Sequence, residues 1–157
     1  MKTLLTCTVN GTEHTVLADV RDTLLELLRD RIGLTGAKEG CGNGNCGTCT
    51  VLMDGATVNA CLVLALEAPG RDIVTIEGLT ESGRMHPIQE ALVEHGGTQC
   101  GFCTPGIVLS AKALLDANAR PSEADIRHAI AGNLCRCTGY GKIVEAIAAA
   151  ADTARGS

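Results

Sequence analysis

The chain of 157 residues contains nine cysteines but only one phenylalanine, one tyrosine and no tryptophan. This length allows one or two small domains, and the scarcity of aromatic side chains limits any core to small aliphatic residues. The net charge of −5 argues against a nucleic-acid partner, and no apolar run reaches the roughly 18 residues that a membrane span needs.

The first half of the chain predicts a sheet with one helix. The pairs Asn10-Gly11 and Asp54-Gly55 are typical of two-residue hairpin turns, and the leucine-rich segment after Asp22-Thr23 predicts a helix that ends at Gly33. Residues 36–47 contain too many glycines for regular structure, and one short helical turn is expected at 62–66. Strands are predicted at 2–9, 12–18, 48–53, 56–60 and 73–76.

The second half changes to a helical pattern after a linker that we expect at 78–83. Pro87 suits a first helical turn, and Ser122 with Asp125 forms the pattern of a helix N-cap. Residues 152–157 are expected to form a frayed tail. Four short helices are predicted, which begin at Pro87, Thr104, Glu123 and Thr138 and indicate a compact bundle.

The cysteines indicate metal binding rather than disulfide bonds. Residues 1–6 contain neither a long apolar segment nor a twin-arginine motif, so the sequence predicts no export signal and a cytoplasmic location. Disulfides are rare in a reducing cytoplasm, where clustered thiols are more often metal ligands. A metal centre would also stabilise the small cores that this composition allows.

The first set of four cysteines has the order Cys41-x4-Cys46-x2-Cys49, followed by Cys61 after eleven residues. The first three match the spacing of plant-type 2Fe–2S proteins. Glycines between them allow the backbone to approach a cluster closely. Structural zinc is the alternative, but only Cys46 and Cys49 form the close pair that zinc sites usually contain.

The second set combines Cys100-x2-Cys103 with Cys135-x-Cys137. Cys103 and Cys137 each precede a predicted helix start, where free N–H groups and partial positive charge favour an anionic group. A single residue between Cys135 and Cys137 suits two ligands of a binuclear centre better than two ligands of one tetrahedral ion. Spacing alone leaves zinc open as an alternative.

Three long motifs contain these cysteines, at Gly40–Val51, Gln99–Gly106 and Gly132–Tyr140. They resemble the motifs of the iron–sulfur subunit of molybdenum hydroxylases, the xanthine oxidase family, and the resemblance covers nearly the whole chain. It implies an α+β fold, in which a plant-ferredoxin-like β-grasp domain at 1–79 precedes an all-α four-helix bundle domain at 84–157. Each domain would bind one 2Fe–2S cluster, with Cys41, Cys46, Cys49 and Cys61 as ligands of the first and Cys100, Cys103, Cys135 and Cys137 as ligands of the second.

The resemblance also implies a function in electron transfer without catalytic residues or a substrate site of the chain's own. The implied partners are a molybdopterin-binding large subunit and an FAD-binding medium subunit in a dimer of heterotrimers, neither of them fused to this chain. Electrons would pass from molybdopterin through the second cluster and then the first to FAD, or in reverse in one branch of the family. Gln99 and Cys137 match positions that contact the pterin.

The remaining candidate residues have simpler interpretations. Cys7 alternates with apolar residues and is expected to be a small core residue, and the four histidines lack ligand spacing. Phe102 and Tyr140 would either shield a cluster from water or only pack, and Lys38 would face a flavin subunit or water. A diffusible ferredoxin and a zinc-stabilised interaction module are the competing functions.

Overall fold

The structure, a computed structural model, describes residues 1–80 and 82–153. A five-stranded sheet and one short helix form the first half of the chain, and four further helices form the second half. The predicted mixed structure, with a sheet region before a helical region, is therefore confirmed. In the described part, no helix is both long and apolar enough to cross a membrane.

The sheet has the strand order β2-β1-β5-β3-β4, in which β1 and β5 are parallel and the other neighbours are antiparallel. Both hairpin turns have positive φ at their two central residues, 52° and 72° at Asn10-Gly11 and 52° and 81° at Asp54-Gly55. This is the type I′ geometry that the sequence predicts. The strands are β1 (Lys2–Val9), β2 (Thr12–Asp19), β3 (Thr50–Met53), β4 (Ala56–Asn59) and β5 (Asp72–Val74).

The predicted first helix is present, but most of it is a π-helix. Thr23 caps α1 (Leu24–Glu26), accepting the Glu26 N–H at 3.2 Å while the Glu26 carboxylate accepts the Thr23 N–H at 2.7 Å. The chain continues directly into the π-helical segment Leu27–Ile32, which ends at Gly33 with φ of 89°. The four leucines of this helix are all buried in the sheet core, at Leu24, Leu25, Leu27 and Leu28.

The helices of the second half are α2 (Pro87–Glu94), α3 (Thr104–Ala117), α4 (Glu123–Ala129) and α5 (Gly141–Thr153). The first three begin where the sequence predicts. The predicted start of the fourth at Thr138 is wrong, because Gly139 and Tyr140 have φ of 66° and 68°, which a right-handed helix does not allow. The expectation of a frayed tail is wrong for residues 152–153, which are helical, and 154–157 lie outside the described residues.

Two hydrophobic cores meet at β3. The first fills the space between the sheet and α1 and includes Cys7 at 2% exposure, as predicted. The second lies among the four later helices and includes Leu52 of β3. The expected linker is partly packed, since Leu79 belongs to this second core and Gly78 lies against Asn10. Residue 81 of that linker lies outside the described residues.

Candidate metal centres

The structure brings the first set of four cysteines together around the glycine-rich loop. All four are free thiols. The side chains of Cys41 and Cys46 contact each other, and Cys49 interacts with both Cys46 and Cys61. Cys41 is exposed, Cys46 and Cys61 are half-buried, and Cys49 is only 2% exposed. The set therefore runs from the surface into the sheet core.

The loop keeps its backbone close to the sulfurs, which explains its glycines. A Cβ at Gly40 would lie 2.9 Å from Cys46 Sγ, and Gly44 has φ of 81°. The backbone N–H of Asn43 donates to Cys41 Sγ and, with further hydrogen bonds, lowers the pKa of this thiol to about 7. Such a loop stabilises an anionic sulfur where it reaches the surface.

Burial has the opposite effect on the innermost thiol of each set. It raises the pKa of Cys49 to about 11 and that of Cys103 to about 12. A neutral thiol is favoured at both positions until a cation shares the sulfur's charge. The buried sulfurs are therefore suited to bind a positively charged metal group that displaces their protons.

The second set is also brought together, from two segments far apart in the sequence. The side chain of Cys103 contacts Cys135, and that of Cys137 contacts Cys100. Cys103 is the N-cap residue of α3, as the sequence predicts. The predicted helix start after Cys137 is wrong, because α5 begins only at Gly141. Cys100 and Cys137 are exposed, Cys135 is half-buried and Cys103 is 8% exposed.

Hydrogen bonds replace the missing helix start around Cys135. Its sulfur lies 3.1 Å from Thr138 Oγ1, and the backbone N–H groups of Thr138 and Cys137 also donate to it. Burial by itself would raise the pKa of Cys135, but these hydrogen bonds lower it overall. Local turn geometry thus provides the donors that we expected from a helix end.

Tyr140 fixes this turn through its hydroxyl group. The hydroxyl accepts the backbone N–H of Cys135 at 2.7 Å and donates to the carbonyl of Asn133 at 3.3 Å. Shielding and packing were the two interpretations of this ring from the sequence, and neither anticipates these hydrogen bonds. The other aromatic residue, Phe102, is 43% exposed and lies beside Gly40 of the first loop.

Asn133 links the two sets of cysteines, a role that its place in the motif at Gly132–Tyr140 does not predict. The side chain is 3% exposed. Its amide nitrogen donates to Gly47 O at 2.9 Å and to Thr50 Oγ1 at 3.2 Å. Its amide oxygen accepts the hydroxyl of Ser110 at 2.8 Å. The next residue, Leu134, donates its N–H to the carbonyl of Cys46 at 2.8 Å.

The remaining candidates have mixed outcomes. Lys38 Nζ binds the carbonyls of Thr35 at 2.6 Å and Gly36 at 3.0 Å, so it stabilises the turn before the first loop. His86 has a role that the sequence did not indicate, since its Nδ1 accepts the N–H of Ile88 at the start of α2. Gln99 is exposed beside Cys100.

The donor chemistry of both sets fits a group bound by four thiolates. Each set consists of two contacting pairs of sulfur donors that also interact electrostatically, and backbone N–H groups point at Cys41 in one set and at Cys135 in the other. Within residues 1–80 and 82–153, no group of three or more His, Cys, Asp or Glu side chains is arranged to hold a single metal ion.

Comparison with known proteins matches both halves of the chain. Residues 7–72 match the family described as 2Fe-2S iron-sulfur cluster binding domain, and residues 75–148 match the family described as [2Fe-2S] binding domain. The chain is 52% identical to the nicotine 6-hydroxylase small subunit of Paenarthrobacter nicotinovorans over 139 residues, covering 88% of this chain and 84% of that protein.

Two further similarities extend over almost the full chain. The nicotinate dehydrogenase small FeS subunit of Eubacterium barkeri is 45% identical, with 93% of both chains covered. A crystal structure of quinoline 2-oxidoreductase from Pseudomonas putida 86 superposes with a TM-score of 0.95 at 41% identity, covering 99% of this chain and 98% of that one.

Proposed function

Because the chain belongs to the iron–sulfur small subunits of the molybdenum hydroxylase family, we propose that it is the electron-transfer subunit of a molybdenum- and FAD-dependent oxidoreductase complex. It carries two 2Fe–2S clusters and has no substrate site of its own. The observation that carries this proposal is that eight of the nine cysteines meet in two separate sets of four.

The cysteines of each set are the ligands of one cluster: Cys41, Cys46, Cys49 and Cys61 for the first, and Cys100, Cys103, Cys135 and Cys137 for the second. A bound 2Fe–2S cluster supplies a carrier of single electrons. The chain's own residues bind the group, exclude water from its inner side through buried Cys49 and Cys103, and direct N–H groups at the sulfurs.

We assign the two clusters to two domains, a plant-ferredoxin-like β-grasp domain at 1–79 and a four-helix bundle domain at 84–157. The separate hydrophobic cores of the sheet region and the helical region support this division. The packing of α2 against α5 and of α4 against α3 and α5 supports a bundle.

The partners are a molybdopterin-binding large subunit and an FAD-binding medium subunit in a dimer of heterotrimers. Electrons pass between molybdopterin and FAD through the second cluster and then the first. The exposure of Gln99 and Cys137 supports contact with the pterin, and the exposure of Cys41 supports access to the first cluster from a partner. The need for eight reduced thiols supports a cytoplasmic location.

Metal analysis of the purified complex tests the cluster assignment. About four irons and about four acid-labile sulfides per copy of this chain are expected, with two paired-iron EPR signals after reduction. Co-elution with molybdenum and FAD in gel filtration is expected for the native protein. Zinc in place of iron would contradict the clusters, and elution of this chain alone would contradict the subunit assignment.

Three cysteine variants test the assignment of ligands and the order of transfer. Cys137→Ser should slow reduction of this chain by substrate, and Cys49→Ser should leave the second cluster reducible while the flavin stays oxidised. Cys7→Ala is the control, because Cys7 is buried in the sheet core and belongs to neither set, so this variant should keep the full iron content. Unchanged flavin reduction in both serine variants would contradict the order.

A further inference from the structure

Two threonine hydroxyl groups lie within hydrogen-bond distance of a cysteine sulfur, one in each set. Thr48 Oγ1 is 3.2 Å from Cys46 Sγ, and Thr138 Oγ1 is 3.1 Å from Cys135 Sγ. A sulfur bound to iron carries no proton, so only the threonine can donate in either pair. A hydroxyl group has a single hydrogen, and its other partners decide whether that hydrogen points at the sulfur.

The hydrogen of Thr138 is available for the sulfur. Thr138 Oγ1 accepts the backbone N–H of Tyr140 at 3.2 Å, which uses a lone pair of the oxygen and leaves its hydrogen free for Cys135 Sγ. The Tyr140 hydroxyl in turn accepts the N–H of Cys135 at 2.7 Å. These two hydrogen bonds fix the turn at both ends and keep the threonine beside the sulfur.

The hydrogen of Thr48 already has another acceptor. Thr48 Oγ1 donates to the carbonyl of Lys38 at 3.0 Å, and the N–H of Lys38 donates to the carbonyl of Thr48 at 3.0 Å. Thr48 is 5% exposed, so turning its hydrogen to the sulfur would break a bond in a place that water does not reach easily. Thr48 therefore presents only a lone pair to Cys46.

We propose that Thr138 raises the reduction potential of the second cluster by donating its hydroxyl hydrogen to Cys135 Sγ, and that Thr48 makes no such donation to Cys46 Sγ in the first. A hydrogen bond to a ligand sulfur stabilises the reduced cluster, because reduction adds negative charge that the donor partly compensates. The inference rests on the proposed function, since it requires clusters at both sets. It makes Thr138 a positioning and tuning residue of the second cluster.

Redox titration of the intact complex, followed by the two EPR signals, tests the proposal. In Thr138→Val the ratio of reduced to oxidised second cluster at a fixed potential should fall several-fold, up to about tenfold, which is ~59 mV for one electron. Thr138→Ser keeps the hydroxyl and should restore the wild-type potential. Thr48→Val is the matched control and should shift the first cluster much less.

Pulsed EPR of the reduced wild-type complex provides a test without substitution. Comparison of samples in H2O and D2O should reveal exchangeable protons coupled to each cluster, and the hydroxyl proton is the one at the second cluster that comes from Thr138 rather than from a backbone N–H group. This coupling should be lost in Thr138→Val and kept in Thr138→Ser. If Thr138 were purely structural, a Thr138→Val protein that loads both clusters would keep the wild-type potential of the second cluster.

Three results would overturn the proposal: an unchanged second-cluster potential in Thr138→Val, an equal shift of the first cluster in Thr48→Val, or no hydroxyl coupling in the wild type. These results differ from a failure of the proposed function. In that case the wild-type protein itself would lack four irons per chain or would give fewer than two paired-iron signals.

Discussion

The two sets of cysteines have the same donors but are assembled differently. Three cysteines of the first set lie on one short loop, and Cys61 follows soon after β4. The second set joins the loop before α3 to the turn before α5. Backbone geometry within one segment therefore builds the first set, whereas the packing of helices builds the second. The same chemistry can be reached locally or through the tertiary fold.

The two sets nevertheless share one junction. Asn133 and Leu134 of the motif at Gly132–Tyr140 bind the backbone of the first loop at Gly47 and Cys46. A change in this junction is expected to affect both sets, whereas a change on either side is expected to affect one. Substitutions at the junction and on either side of it therefore test whether the two sets of cysteines depend on each other.

The largest effect is expected from Asn133→Ala. The substitution removes all three side-chain hydrogen bonds of a residue that is 3% exposed. At about 0.5–1.5 kcal/mol for each net hydrogen bond, we expect a loss of roughly 2–4 kcal/mol in stability. Thermal unfolding of the loaded protein should show a lower apparent Tm, and both EPR signals should change.

Asn118→Ala is the matched control for that substitution. Asn118 is exposed at the end of α3, and its side chain accepts only the N–H of Arg120 among the bonds described. A small change in Tm and unchanged EPR signals are expected. If Asn133→Ala disturbed only the second signal, the junction would not couple the two sets.

A smaller loss of stability is expected from a substitution where the backbone of α3 touches that of the first loop. A Cβ at Gly106 of α3 would lie 2.3 Å from the carbonyl of Gly47, so Gly106→Ala must push the first loop and α3 apart. Overpacking of this kind costs about 1–3 kcal/mol. Iron content and apparent Tm should both fall, and the two sets should be affected together.

The same junction offers a neutral alanine position. A Cβ at Gly132 would meet nothing within 4 Å, so Gly132→Ala should load both clusters and unfold close to the wild-type temperature. Equal losses in the two alanine variants would show that helix or loop propensity, rather than contact between the regions, determines their stability.

Tyr140→Phe is expected to affect the second set of cysteines without affecting the first. It removes the hydroxyl that accepts the N–H of Cys135 and leaves this N–H without its 2.7 Å partner. The cost is about 1–2 kcal/mol and is local to the turn before α5. The EPR signal of the second cluster should shift while that of the first stays the same. A shift of the EPR signal of the first cluster would mean that the hydrogen bonds of this turn also influence the first set of cysteines.

The smallest effect is expected far from both sets, at the start of α4. Hydrogen bonds from the backbone and then the hydroxyl of Ser122 hold the pKa of Asp125 below its usual value of 3.8. The ionised carboxylate of Asp125 therefore stabilises the helix fully at pH values above 3.8. This contribution is lost only as the pH falls through the lowered pKa. Asp125→Asn removes the charge and keeps the shape.

The pH dependence of this variant gives the measurement. The difference in Tm between wild type and Asp125→Asn should be small and should not decrease from about pH 7 to about pH 5, because Asp125 stays ionised over this range. Both EPR signals should be unchanged. A difference that decreases between these two pH values would contradict the lowered pKa.

Features fixed by local sequence could be predicted. The two type I′ turns follow from Asn10-Gly11 and Asp54-Gly55, and the capping of α4 follows from Ser122 and Asp125. The contacts within each set of cysteines agree with the spacing and with the family motifs. These features depend on residues that are neighbours or that belong to one recognisable pattern.

Three features could not be predicted from the sequence, each for a different physical reason. The sequence predicts too early a start for α5, because the helix-like pattern begins before the left-handed turn at Gly139 and Tyr140 ends. The π-helix is hidden because four leucines on a broad face fit either type of helix. The linking role of Asn133 cannot be predicted from its motif, since its partners at Gly47 and Thr50 lie more than 80 residues away.

The position of Leu52 has a consequence for synthesis on the ribosome. This side chain of β3 belongs to the core of the helical region, and α3 covers it. A nascent chain folds from its N-terminus, so the residues of the sheet are translated before those of α3. The surface of β3 around Leu52 is therefore uncovered during this interval. The newly made first half is then an aggregation-prone intermediate, because the apolar surface of β3 is exposed. A chaperone that covers this surface until α3 emerges would raise the yield of intact protein.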